Sequence, residues 1–69
     1  MNSQTIKGNW MQLKGAVRET WGELTNDDVD QIAGEREQLI GKLQERYGKD
    51  LDIIEQEVKR FEDKMSLRK

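Results

Sequence analysis

Carboxylates, lysines and arginines supply nearly all the reactive groups in this chain. It has 14 Asp and Glu, 12 Lys and Arg, one tyrosine, and neither histidine nor cysteine. Without imidazole or thiol there is no Ser-His triad, no thiolate nucleophile, no zinc finger and no cysteine-held iron–sulfur site. Ser3 and Ser66 lie near the ends of the chain and have no histidine base to activate them. Two carboxylates could share acid–base work, but no buried acidic pair is evident. The six glycines fall on helical spacings and do not form a phosphate-cradling loop. No catalytic or cofactor-binding residue is assigned, and the chain reads as a non-enzyme with no cofactor.

One spacing has the outline of a metal loop. Asn26, Asp28, Asp30 and Glu37 occupy positions 1, 3, 5 and 12 of an EF-hand-like stretch. Position 6, where that loop needs glycine for its sharp turn, is Gln31. Val29, Ile32 and Ala33 give the stretch a helical stripe instead. Thr25-Asn26-Asp27-Asp28 then reads as an N-cap followed by an acidic first turn, which complements a helix dipole. The expectation is no metal.

The elements that would position any site must come from a small core. The chain has 69 residues, 33% apolar and 38% charged, with a mean hydropathy of -1.01. That length makes one domain, residues 1–69 with an ordered core over about 5–65, and a domain of this size buries only about 60% of its unfolded surface. Net charge is -2, with +2 over residues 1–21, -5 over 22–35 and +2 over 36–49. The net balance disfavours tight nucleic-acid binding, while the two positive stretches give it modest support. No apolar run reaches the roughly 7–15 residues of a signal peptide or the about 20 of a membrane span. The expectations are a cytoplasmic protein with no membrane partner, a monomer or weak dimer.

An internal repeat organises the chain. Residues 8–22, GNWMQLKGAVRETWG, lie over residues 34–48, GEREQLIGKLQERYG, at an offset of 26. Gln12 matches Gln38, Leu13 matches Leu39, Glu19 matches Glu45, Trp21 matches Tyr47, and all three glycines coincide. Ile6, Trp10, Leu13, Val17 and Trp21 recur at helical steps, and Gly22 is placed to stop the helix in the left-handed conformation. Ser3 or Asn9 could cap its start, Asn9 with Gln12 closing a capping box. In the second repeat Leu39, Ile40, Leu43 and Tyr47 form the stripe and Gly48 ends it. Between them a shorter helix turns Val29, Ile32 and Ala33 inward, and Gly34 interrupts. A last helix from near Asp50 to about Met65 carries Leu51, Ile54, Val58, Phe61 and Met65. The fold class is all-α: a compact four-helix domain of two α-hairpins related by an approximate duplication. The aromatic stripe, Trp10 and Trp21 on one face, reads as core rather than a ligand box.

The glycines are not explained by these stripes. Gly8, Gly15 and Gly22 are seven apart and stack on one side of the first helix, away from the tryptophans; Gly34, Gly41 and Gly48 repeat the pattern. A mid-helix glycine costs roughly 1 kcal/mol relative to alanine. Either another segment of the domain crosses closely over these faces or the glycines mark bends, or the faces form a surface for a partner. Gln12, Gly15, Glu19, Gln38, Gly41 and Glu45 are the candidate interaction face.

The motifs Gly8-Asn9-Trp10, Gln12-x-Lys14-Gly15, Trp21-Gly22-x-Leu24-Thr25, Asp27-Asp28, Gly34-x-Arg36 and Gln38-Leu39-x-Gly41-Lys42-x-Gln44-x-Arg46-Tyr47-Gly48 resemble the CsbD-like family of small bacterial stress-response proteins. The match spans about residues 4 to 62. The resemblance implies a four-helix domain similar to the SAM-domain-like pair of orthogonal α-hairpins. It also implies a soluble bacterial protein induced in the general stress response, and no catalytic residues to carry over. The leading reading is a non-enzymatic stress protein that binds an unidentified macromolecular partner. A hydrophilin-like protective protein acting through hydration is the alternative. A third reading, nucleic-acid binding, rests on Arg46-Tyr47-Gly48-Lys49, a turn similar to a helix–hairpin–helix but lacking its Gly-x-Gly and followed at once by Asp50 and Asp52.

Overall fold

Apolar residues three and four apart can be buried together only if the backbone is helical. The structure, a computed structural model that describes Ile6 and residues 8–65, follows that rule throughout. Among the described residues there are four helices and no strand: α1 Trp10–Thr20, α2 Asn26–Ile32, α3 Arg36–Tyr47 and α4 Leu51–Lys64. Consecutive helices pack against one another around one core. The radius of gyration is 10.8 Å, close to the about 11 Å expected for a compact chain of this length.

α1 buries Leu13 and Val17, and Ile6 ahead of it and Trp21 behind it extend the same stripe. Trp10 is half-buried at the margin of the core, so the two tryptophans are not equivalent. Asn9 stands at the N-cap position without a side-chain capping bond, so Gln12 closes no box there; Ser3 lies outside the described residues. The end of α1 also differs from expectation. Trp21 leaves the helical region at φ -123° and ψ 85° while its N–H still bonds to the Val17 carbonyl at 2.9 Å. Gly22 is not left-handed: the positive-φ glycines among the described residues are Gly34 and Gly48. Tertiary anchoring of the indole accounts for the stop. Its ring packs on Phe61, with centroids 5.1 Å apart and planes tilted by 50°, and its N–H donates to Glu57. Leu24, absent from the expected stripes, is buried beneath the turn that follows.

α2 opens on a complete capping box. The Asp28 amide donates to Thr25 Oγ1 at 3.1 Å and the Thr25 amide to Asp28 Oδ2 at 3.0 Å, which satisfies two amides that a helix start leaves open. Val29 and Ile32 are buried. Ala33, expected to face inward, is exposed and left-handed at φ 49°. With Gly34 at φ 83° it makes two successive positive-φ residues. This reverses the chain in few residues and swings the Ala33 side chain out of the stripe.

α3 buries Leu39, Ile40 and Leu43, with Tyr47 half-buried. It ends as expected: Gly48 is left-handed at φ 66°, and its N–H bonds to the Gln44 carbonyl at 2.8 Å. α4 buries Ile54, Val58 and Phe61, and Met65 packs against the core edge. Leu51 is 46% exposed, so the α4 stripe begins one step later than its spacing suggested. It sits at the first position of the helix, ahead of the part that α3 covers.

Trp21→Ala removes a buried indole, its ring contact and its hydrogen bond, and is expected to lower unfolding free energy in urea by about 3–5 kcal/mol. Trp10→Ala should have a clearly smaller effect. Gly48→Ala forces a Cβ into the left-handed region and should lose about 1 kcal/mol. Equal losses at Trp10 and Trp21 would contradict the packing described.

Candidate interaction surface

α1 carries Gln12, Gly15 and Glu19, and α3 carries Gln38, Gly41 and Glu45. All six are exposed. A Cβ placed on Gly15 or on Gly41 would meet nothing within 4 Å. At Gly15 and Gly41, no described part of the domain crosses closely over these faces. Glycine has no internal packing reason at either position. Beside Gly15 lies a groove of about 460 Å³ between α1 and α2, bordered by Lys14, Arg18, Asn26 and Asp30. Arg18 donates to Asn26 Oδ1 across it at 2.5 Å, and Lys14 stands 3.9 Å from Asp30. On α3, Glu45 is 3.5 Å from Lys42, one turn back.

Beneath this surface lies a polar node that the sequence stripes did not reveal. Asp28 is only 2% exposed. Besides its capping role it accepts two hydrogen bonds from Arg46, Nε to Oδ2 at 2.8 Å and Nη2 to Oδ1 at 2.9 Å. Lys42 stands 3.7 Å away. Bidentate guanidinium–carboxylate pairing fixes orientation as well as distance, so one carboxylate sets how the start of α2 meets the last turns of α3. The Arg46 guanidinium and the Thr25 amide hold the Asp28 carboxyl far below the usual carboxylate range. A second buried acid, Glu62, accepts from Arg36 Nε at 2.8 Å and ties the end of α4 to the start of α3. Glu57 accepts from Lys49 Nζ at 2.8 Å and from the Trp21 indole at 3.2 Å. The Lys49 ammonium, with the indole N–H, lowers the Glu57 carboxyl.

These pairings bear on two motifs. Asn26 and Asp28 belong to α2 rather than to a loop, and the Asp28 oxygens face Thr25 and Arg46. No group of three or more Asp or Glu among the described residues could hold a metal ion. In the Arg46–Lys49 turn both cations are engaged inside the fold, Arg46 with Asp28 and Lys49 with Glu57. Lys49 also lies 5.7 Å from the centre of the Tyr47 ring, and the Tyr47 hydroxyl accepts from the Glu23 amide at 3.2 Å.

A family model described as CsbD-like matches residues 4–56. The chain belongs to the CsbD-like family. It is 52% identical over 65 residues to a UPF0337 protein of Pseudomonas aeruginosa, covering 94% of this chain and 100% of that one. It is 51% identical over 63 residues to one of Pectobacterium atrosepticum, with 91% of each chain covered. It is 50% identical over 68 residues to the UPF0337 protein YjbJ of Escherichia coli K12, with 99% of each covered. No solved structure matches the chain. No helix among the described residues of this CsbD-like chain is long and apolar enough to cross a membrane.

Of the residues that do structural chemistry, Asp28 was partly legible, as the acid three places after a capping threonine. Its partners Lys42 and Arg46 sit four apart on one side of α3, a spacing that offers both cations to a single acid. Nothing in the periodicity marked Glu62 as buried.

Asp28 and Glu57 both have folded pKa values below their unfolded ones, so the unfolded chain takes up protons first. Their stabilisation is complete above the ordinary carboxylate range of about 4 and is lost progressively as pH falls below it. Asp28→Asn keeps the shape but removes the charge. Thermal melts from pH 6 to pH 3 should show a lower midpoint for the variant at pH 6, by roughly 10 °C, and a shallower fall with acid. Parallel curves for the two proteins would refute the role given to Asp28.

Proposed function

We propose that this CsbD-like protein serves the general stress response in the cytoplasm without catalysing a reaction, by binding another macromolecule through the glycine-bearing faces of α1 and α3. One observation carries the reading. Gly15 and Gly41 lie in mid-helix, exposed, with open space where a side chain would stand. Each glycine weakens its helix by roughly 0.5–1 kcal/mol relative to alanine. Nothing in the described fold requires either one, whereas a partner whose backbone approaches the helix closely would. Gln12 and Glu19 flank Gly15, and Gln38 and Glu45 flank Gly41. These amides and carboxylates give such a partner hydrogen-bonding groups beside a smooth strip. The protective reading, through bulk hydration, predicts that no single surface position matters.

Gly15→Ala and Gly41→Ala should each raise unfolding free energy by about 0.5–1 kcal/mol, because both helices accept a methyl without clash. In cells under osmotic or starvation stress, crosslinking and mass spectrometry should recover a partner with the wild type and lose it with the more stable double variant. An unchanged crosslinking pattern removes the glycine faces from the function. Full protection by the double variant with no crosslinked partner favours the hydration reading.

A further inference from the structure

Away from the glycine faces, the connection into α4 and the α4 surface enclose an open groove of about 390 Å³. Its floor is formed by the edges of Trp21 and Phe61 and by the half-buried ring of Tyr47. Its rim carries Lys49, Arg60 and Lys64. Among the described residues the only acid lining it is Glu57, whose oxygens are already engaged by the Trp21 indole and by Lys49. Arg60 and Lys64 lie one turn apart on the same helix. Both are exposed, and neither lies within 4.0 Å of a described acid, though the charge of Arg60 also acts on Glu57. Among the described residues the groove carries three cations against one acid, one of the three, Lys49, paired with that acid, in a chain whose net charge is -2. A cation in the last turn complements the negative end of a helix, which accounts for Lys64. Lys49, from the preceding turn, borders the same groove while paired with Glu57, and Arg60 is left without such a role.

The geometry points to a binding groove for a nucleotide: the phosphates between Arg60, Lys64 and Lys49, the base against Tyr47 and the Trp21–Phe61 edge. Its volume lies at the lower end of the roughly 300–1,000 Å³ of small-molecule sites. Guanidinium and ammonium groups recognise phosphate by charge-assisted hydrogen bonds, and Tyr47, whose ring Lys49 approaches to 5.7 Å from its centre, offers an aromatic edge to a base. Free phosphate would leave the aromatic wall unused. A nucleic-acid strand would need a basic track continuing beyond the groove, on a molecule whose overall charge opposes a polyanion.

The test is a titration of the full-length protein with ADP, followed by amide and indole N–H shifts. The Trp21 indole N–H, Thr20, Lys49 and Arg60 should shift together and saturate. An Arg60→Ala/Lys64→Ala double variant, which alters two exposed side chains, should keep its melting temperature and bind ADP at least tenfold more weakly. Adenosine and inorganic pyrophosphate should each bind more weakly than ADP, since each lacks half of the recognised chemistry. Gly15→Ala should bind ADP as the wild type does, which separates this groove from the proposed partner face. The assignment is overturned if ADP causes no saturable shift up to roughly 10 mM. It is also overturned if the shifts map outside the groove, if the double variant binds equally well, if pyrophosphate matches ADP, or if only a thymidine oligonucleotide binds.

Discussion

One carboxylate holds the turning point of this domain. Asp28 closes the capping box that starts α2 and accepts the fork of Arg46 from the far end of α3. A helix of seven residues is too short to persist by its own hydrogen bonds. It persists because its first turn is capped and charge-paired and its apolar side, Val29 and Ile32, is buried. Without that anchor α1 would lose the neighbour it packs on, and Leu24 and Val29 would lose their cover.

The same economy recurs elsewhere. With few apolar residues available, the fold uses ionic ties at positions that a larger protein would fill with hydrocarbon. Glu62 is buried against Arg36, and Glu57 bridges Lys49 and the Trp21 indole. Among the described residues no buried side-chain polar atom is left without a hydrogen-bond partner, so these burials do not carry the penalty of an unmet donor or acceptor. A buried ion pair is weak evidence for added stability. Here the pairs set geometry: each joins two elements at a fixed angle, while Leu39, Leu43, Ile54 and Val58 supply the burial.

The apolar stripes were legible in the sequence because helical burial imposes its own spacing, and Leu13, Val17, Leu39, Leu43, Ile54 and Val58 fell where the spacing put them. Gly48 was legible because its left-handed stop is set locally. Gly22 was misread for a reason that local spacing cannot hold: α1 ends where α4 captures the Trp21 ring, 36 residues further on at Glu57. Ala33 was misread because periodicity assumes the helix continues, and the chain reverses there. Leu51 was misread because a stripe does not reveal where a neighbouring helix stops covering it. Of the candidate surface, the exposure of Gln12, Glu19, Gln38 and Glu45 followed from the helical wheel, but only the folded arrangement reveals the empty space above Gly15 and Gly41.

The Arg36–Glu62 pair has a consequence for how the molecule opens. It joins the first residue of α3 to the last turn of α4, and Gly48 fixes the other end of the same hairpin. The two antiparallel helices are thus fastened at both extremities, and fraying at the tip of α4 has to break a buried contact before it can spread. α1 is joined to α2 by polar contacts at the surface, Arg18 to Asn26 and Lys14 to Asp30. Exposed ties of that kind yield first in local unfolding. Breathing motions are therefore directed towards the N-terminal side, and the C-terminal hairpin remains a closed unit through which the rest of the chain can re-form.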